Sequence, residues 1–439
     1  MLNTHEDNNM YKRIIPILIL FSAVTSLCLA GQAPYDYPVD NRFAATILGT
    51  PKEFAAMLPQ KIKTQEMELT VFPDRVVPEF FWYQKGLQYS LARQHGKAPL
   101  IFLIAGTGAG HDSTKNQALA KAFYQAGFHV VSLSSPTHPN FIITASSTMI
   151  PGHIVHDAED LYRVMELIMK QNRNRLEVTD FYLTGYSLGG AQAAFVAKLD
   201  EERKAFNFKK VLMINPPVSL YNSVTIIDSM LENNIPGGID KFEAFWDDMF
   251  KRFSDAYRDS DVVTFGPEFL YKAYEKRLRA GTPPDDGRME ALIGFAFRIS
   301  SAGMVFTSDV MSNYGLIKPK NLVLYSTDSV TDYAKVAGRA NFITYFDLML
   351  YPYYHAQQPG LSRQEMLDLL SLKSIEGYLR SATKIGMVSN VDDFILAPGE
   401  VDYFRQVFQD RAKFYPKGGH CGNITYKDNV AYMINYFTN

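Results

Sequence analysis

The residues with chemistry to offer in this chain are one serine in a glycine frame, a pair of adjacent aspartates, and a histidine near the C-terminus. The serine is Ser187, set in Leu183-Thr184-Gly185-Tyr186-Ser187-Leu188-Gly189-Gly190. A β-type run, Phe181 to Thr184, precedes it, and an alanine-rich helical run, Ala191 to Leu199, comes after it. Without a Cβ at Gly185 or Gly189, the backbone can turn sharply from strand into helix. Such a turn lifts the Ser187 hydroxyl clear of the sheet edge. It also places the Leu188 N–H at a helix N-terminus, where donors are unpaired and the dipole favours negative charge. An acyl-transfer nucleophile needs this setting. The aspartates are Asp392 and Asp393, just beyond a short apolar run, and the histidine is His420, after Gly418-Gly419.

Other residues invite readings that the pattern does not support. Gly106-Thr107-Gly108-Ala109-Gly110 succeeds an apolar strand, but its spacing fails the dinucleotide fingerprint and no P-loop lysine and hydroxyl come after it. His153 and His156 stand i, i+3 beside Asp157 with no third ligand and no HExxH, so helix-start or surface roles are expected and no metal. His111 is expected to be an exposed loop residue and His138, between Thr137 and Pro139, part of a turn. Cys421 adjoins His420 without a glycine elbow and reads as a small packing residue. No cofactor is expected.

Positioning these groups requires a large ordered frame. With 439 residues the chain can bury an extensive core. Lys+Arg 44 against Asp+Glu 46 gives a net charge of −2, which argues against nucleic acid as a partner. Residues 1–30 read as a signal peptide: Lys12 and Arg13, an apolar run from Ile14 to Leu29, and small residues before a cut near Ala30. The expectation is an exported protein, periplasmic or secreted. Removal of Cys28 would leave Cys421 alone, and so no intramolecular disulfide.

Residues 31–60 read as an irregular arm. Strands are expected over Glu66–Phe72, Phe80–Tyr89, Pro99–Ala105, Phe128–Leu133 and Val211–Ile214, with helices over Lys115–Ala126 and through Leu161, Val164, Met165 and Ile168. This alternation predicts a mostly parallel sheet covered on both faces. After Asn215-Pro216-Pro217 the period turns helical for a long stretch. A helix capped by Asp240 would align Phe242, Phe245, Trp246, Met249 and Phe253. Further helices are expected over Pro267–Arg279, Arg288–Ser312, Tyr333–Tyr351 and Ser362–Thr383, the last opened by a Ser362/Glu365 capping box. The alternation resumes with a strand at Ile385–Ser389, a helix at Glu400–Phe408, a strand at Arg411–Tyr415 and a last helix through Val430, Met433, Ile434 and Phe437.

On three matches (the elbow 184–190, Asp392-Asp393 past a strand, and Gly419-His420 near the C-terminus) the chain resembles an α/β-hydrolase-fold serine hydrolase of the esterase and lipase type, with its groups in the order Ser, Asp, His. The resemblance implies a core over 61–217 and 384–439, with an all-helical cap at 218–383 inserted after the strand ending near Ile214. It implies Ser187 as nucleophile, His420 as base and an aspartate behind the histidine. Either Asp392 or Asp393 can serve, and the family pattern Asp-x-hydrophobic-hydrophobic favours Asp393. It also implies an oxyanion hole from the backbone N–H groups of Leu188 and Thr107, although Ala105 replaces the histidine that often opens that loop. The implied activity is hydrolysis of a small-molecule carboxylic ester or other acyl substrate, and membrane contact through the cap is left open. The same groups would equally serve a peptidase, thioesterase or acyltransferase, and a binding protein could keep the fold alone.

Overall fold

The computed structural model describes residues 35–258 and 285–439, and Tyr37–Asn439 gather into one compact unit. The expected signal peptide over 1–30 and the helix over Pro267–Arg279 lie outside the described residues.

The apolar runs become the middle of the sheet. Strand β3 (Ala98–Ile104) is hidden on both faces, with Leu100 to Ile104 wholly buried. It pairs in parallel with β4 (His129–Leu133) on one side and β5 (Val178–Tyr186) on the other. β6 (Lys210–Ile214), β7 (Ile385–Asn390) and β8 (Ala412–Tyr415) continue in parallel. β1 (Thr64–Leu69) and β2 (Leu87–Ala92) add an antiparallel edge, β1 mostly exposed and β2 buried at every residue but Gln88. The order is β1-β2-β4-β3-β5-β6-β7-β8. Helices α2 (Thr114–Gln125), α4 (Ile154–Asn172) and α5 (Leu188–Arg203) cover the sheet, α4 burying the expected stripe of Leu161, Val164, Met165 and Ile168.

Two local expectations fail for physical reasons, and an expected turn leads into an unforeseen helix. The strand foreseen from Phe80 begins only at Leu87, because the residues after Pro78 curl into a 3-10 turn, Glu79–Phe81, that buries Phe81. The arm foreseen as irregular contains α1 (Arg42–Leu48). Asn41 caps it by accepting the N–H groups of Phe43 and Ala44, and Phe43, Ala44, Ala45 and Ile47 are buried. A seven-residue helix is too short to show a period. The turn at 136–139 runs straight into α3 (Pro139–Thr144), with proline at its first position.

Between β6 and β7 the described residues hold helices and no strand. α6 (Leu220–Glu232), α7 (Phe242–Arg258) and α8 (Asp286–Ser312) form the bulk. Phe242, Phe245, Trp246 and Met249 of α7 share a cluster with Phe295 of α8 and with Phe43 of α1. Asp240 lies inside the 3-10 turn Ile239–Lys241 that precedes α7. α8 is long and apolar enough to cross a membrane by length and composition, yet 67% of that window is buried inside the protein. At its middle, Arg298 bonds Asp228 at 2.7 Å and Glu232 at 3.1 Å.

Two helices foreseen as continuous are broken by tertiary bonds. The first splits into Thr331–Arg339 and a second run from Phe342, whose N–H goes to buried Asp228 at 2.7 Å. Pro352 then sits just after a π turn at Phe346–Leu350, since a proline has no N–H for the carbonyl one turn back. The second splits at Ser371. There the Leu372 N–H and the Ser371 hydroxyl both bond the Val218 carbonyl, tying the end of the insertion to its start. The Ser362/Glu365 capping box forms in both directions.

Candidate active site

β5 ends at Tyr186 and α5 starts at Leu188, so Ser187 alone makes the turn, at φ 56° and ψ −127°. A residue with a side chain is strained there. Its backbone N–H is anchored on the Ile214 carbonyl at 2.8 Å. The flanking glycines permit the closure: a Cβ on Gly185 would strike the Gly189 carbonyl, and one on Gly189 would strike the carbonyls of Ile104 and Ala105 at the end of β3.

The Ser187 hydroxyl points at His420, with Oγ 2.9 Å from Nε2. On the other side of the ring, Nδ1 lies 3.1 Å from each oxygen of Asp393. Asp393 accepts two further bonds, from Asn215 Nδ2 at 2.8 Å and from the Ile395 N–H at 3.2 Å. Its carboxylate is fully covered, while the histidine side chain keeps 16% exposure. The acid is therefore sealed and the ring reachable. Asp392 turns the other way and accepts the N–H groups of Gly419 at 2.9 Å and Gly418 at 3.2 Å. Position thus separates two carboxylates that adjoin in sequence.

Burial by itself would lower the pKa of the His420 ring. The charge Cys421 carries when ionised, together with the Asp393 carboxylate and its hydrogen bond, outweighs burial, and the pKa moves up from 6.5. Cys421 is buried as expected, and its Sγ also touches the ring, 4.0 Å from Nε2. Burial raises the Asp392 carboxyl, opposed by the Gly419 and Gly418 amides.

Ser187 opens into a largely apolar cavity whose empty space, open solvent at the mouth included, is about 690 Å³. Thr107 and Leu188 stand in the same wall, and α6, α8 and Phe342 close the far side with Leu220, Val224, Ile227, Phe297 and Met304. No lining side chain is charged. A Cβ on Gly106 would lie 2.8 Å from the Tyr186 ring and 3.1 Å from the Ser187 Cβ, so the loop after β3 runs directly beside the serine. The Gly108 N–H pins that loop to Thr137 Oγ1 at 2.8 Å. Leu188, as the first residue of α5, has no helical carbonyl behind it for its N–H.

The other histidines weighed in the sequence make bonds, helix caps and ring contacts within the fold. His111 is buried rather than exposed. Its Nδ1 lies 2.7 Å from Ser90 Oγ and its N–H bonds Ser134 Oγ, because the glycine loop folds back over the strand ends. Burial lowers its pKa, with Asp112 opposing. His138 caps α3 by accepting the Asn140 N–H, and burial takes its pKa down to about 4. His153 caps α4 and stacks on His156 and Tyr354 with ring centroids 4.3 and 4.5 Å away. Burial and then His156 lower it to about 4. Among the described residues no group of three or more His, Cys, Asp or Glu could hold a metal ion.

Sequence reasoning missed two residues. Asn215, read only as the point where the period changes, stands at φ 45° and holds Asp393. A polar residue ending a buried parallel strand was the available signal. Thr46 reaches the His420 backbone from α1, and no local signal marks it.

No family model matches the chain, and no curated protein sequence does. Solved structures similar to it include Est1E from Butyrivibrio proteoclasticus, at 12% identity over 81% of this chain and 97% of that one, with a TM-score of 0.35. A membrane phospholipase A described as a bacterial virulence factor is similar at 14% identity over 90% and 87%, TM-score 0.39. A thioesterase domain from the curacin biosynthetic pathway is similar at 13% over 86% and 100%, TM-score 0.36. The strand order, the elbow between β5 and α5 and the antiparallel edge are those of the α/β-hydrolase fold.

Proposed function

We propose that the chain is an exported serine hydrolase that cleaves a carboxylic ester through an acyl-enzyme, with Ser187, His420 and Asp393 as its triad. One observation carries the reading: Ser187 Oγ lies 2.9 Å from His420 Nε2 at the wall of an uncharged cavity. Ser187 Oγ bonds the acyl carbon as its proton passes to Nε2, and Asp393 steadies the imidazolium through Nδ1–H. The carbonyl oxygen, now negative, meets the N–H groups of Leu188 and Thr107. Collapse breaks the bond to the alcohol, which leaves with the proton from Nε2. Water then repeats the sequence on the acyl-enzyme, releasing the acid and restoring Ser187.

The uncharged lining favours an apolar acyl group over a charged peptide side chain. Export rests on the apolar run Ile14–Leu29 behind Lys12 and Arg13, with cleavage near Ala30. N-terminal sequencing of the mature protein tests that part. The chemistry is tested with a fluorophosphonate probe, then with a library of p-nitrophenyl esters. Labelling of the wild type and none of Ser187→Ala is expected. A folded wild-type protein that takes no label would remove the hydrolase reading and favour a binding role.

A further inference from the structure

One stretch outside the Ser187, Asp393 and His420 segments also reaches the histidine, and it comes from the chain ahead of the first strand. Thr46 Oγ1, on α1, accepts the backbone N–H of His420 at 2.9 Å and donates its own proton to the Arg42 carbonyl at 2.8 Å. Both bonds need the hydroxyl, and no apolar side chain of that size replaces them. Gly419 stands at φ 56° with its Cα pressed on the Arg42 carbonyl, and Gly422 presses likewise on the Ala45 carbonyl. A Cβ at either would collide. Thr50 Oγ1 donates to the Gly422 carbonyl at 3.1 Å. Further along, Ala56 N–H bonds Thr425 and Lys427 N–H bonds Phe54, while Lys417 pairs with Asp40.

The grip has a second jaw. From the end of β7, Asp392 takes the amides of Gly418 and Gly419, and Asn390 Nδ2 donates to the Gly419 carbonyl at 2.8 Å. The ring contacts agree: Phe43 of α1 lies 5.6 Å from Phe394, which lies 6.0 Å from the His420 ring. The backbone that carries the imidazole is thus clamped between β7 and α1, and the distance from Nε2 to Ser187 is set by both.

We infer that Thr46 is a positioning residue for His420, and that α1 is a part of the active site supplied from the N-terminal side of the chain. The inference rests on the proposed triad. Thr46→Val keeps the shape and removes the acceptor, leaving the His420 N–H without its bond. The loop must then shift to satisfy it. A misplacement of ~1 Å at the reacting groups costs on the order of 100-fold in rate.

The experiment uses the full mature protein with Thr46→Val, Thr46→Ser and Gly419→Ala, the last pushing on the same contact from the other side. Two readouts are taken: kcat and KM on p-nitrophenyl butyrate, and the downfield proton resonance of the His420 Nδ1–H, which requires no turnover. Expected are a fall in kcat of about 10- to 100-fold for Thr46→Val with KM little changed, recovery in Thr46→Ser, and a shifted or lost resonance in Thr46→Val and Gly419→Ala only. Unchanged kcat and resonance in Thr46→Val overturn the inference. So does a loss that Thr46→Ser shares and that tracks the melting temperature, because that is a merely structural role. If the wild type turns over no ester, the hydrolase reading fails by itself, and the resonance still decides whether Thr46 holds the ring.

Discussion

Replacing Asp393 by asparagine exchanges one carboxylate oxygen for an NH₂, and the surroundings determine the consequence. Every neighbour of the carboxylate is a donor: His420 Nδ1 faces both oxygens, Asn215 Nδ2 faces one and the Ile395 N–H the other. An amide NH₂ in either orientation therefore meets a donor. If it stays toward the ring, Nδ1 must accept, the proton moves to Nε2, and Nε2 can no longer take the Ser187 proton. If the side chain rotates away, the ring loses the group that orients it. On the proposed triad either route removes general-base assistance, for which a loss of ~10⁴ in kcat is typical, or about 5.5 kcal/mol of barrier. The buried donor–donor contact adds about 1–3 kcal/mol of destabilisation. Asp392→Asn differs, because that side chain accepts two amides and an amide oxygen can keep one of them. The loss there is one loop hydrogen bond, about 0.5–1.5 kcal/mol. The assay is kcat on p-nitrophenyl butyrate under mildly alkaline conditions for both variants, with urea unfolding alongside to verify that each is folded. Asp393→Asn retaining activity close to wild type while folded, or Asp392→Asn showing the larger loss, would refute the assignment.

On the proposed reading only neutral His420 is active, so kcat/KM rises with pH through a midpoint above 6.5, because the ring's pKa is raised. A pH–rate profile with its midpoint at or below 6.5 would contradict this. The same shift carries an opposite sign for stability: the raised folded-state pKa stabilises the fold below about 6.5, and the contribution fades as pH climbs through the folded value, which denaturant midpoints against pH would register. Arg298→Met leaves Asp228 and Glu232 without their cation in the insertion's core. A destabilisation of about 3–5 kcal/mol is expected by urea titration, and a change under about 1 kcal/mol would mean the cluster is not held by charge. Val224→Trp narrows the cavity beside Ser187. The p-nitrophenyl ester profile should shift toward shorter chains, and an unaltered profile would place the acyl group elsewhere.

The elements that could be read from the sequence are those in which one short-range rule dominates. Buried parallel strands such as Leu100–Ile104 must be apolar throughout, because helices cover both faces, so the run is visible without any partner. The elbow is visible because the steric demand at Gly185 and Gly189 can be met by only one residue type. The stripe on α4 arises from a helical period sustained over 19 residues. Where several short pieces are stabilised by distant partners, the same rules misled. Residues 333–351 have the composition of one helix, yet Asp228, far upstream in the sequence, captures the Phe342 N–H and restarts the helix there. Residues 362–383 are interrupted for a comparable reason by the Val218 carbonyl.

The same distinction runs through the candidate site. Ser187 announces itself because its strain is local and must be written into its neighbours. His420 carries no such signature: the rotation of its ring is set by Asp393, the height of its backbone by Asp392 and Asn390 on one side and Thr46 on the other, and the acid by Asn215. Each bond joins residues that only the folded sheet brings together, so the type of residue was legible and its support was not. A threonine on a seven-residue helix looks like any surface threonine until the loop it bonds is in place. This is why the choice between Asp392 and Asp393, open on sequence, turns on which way each carboxylate faces: one side chain serves the ring, and its neighbour holds the loop that presents the ring.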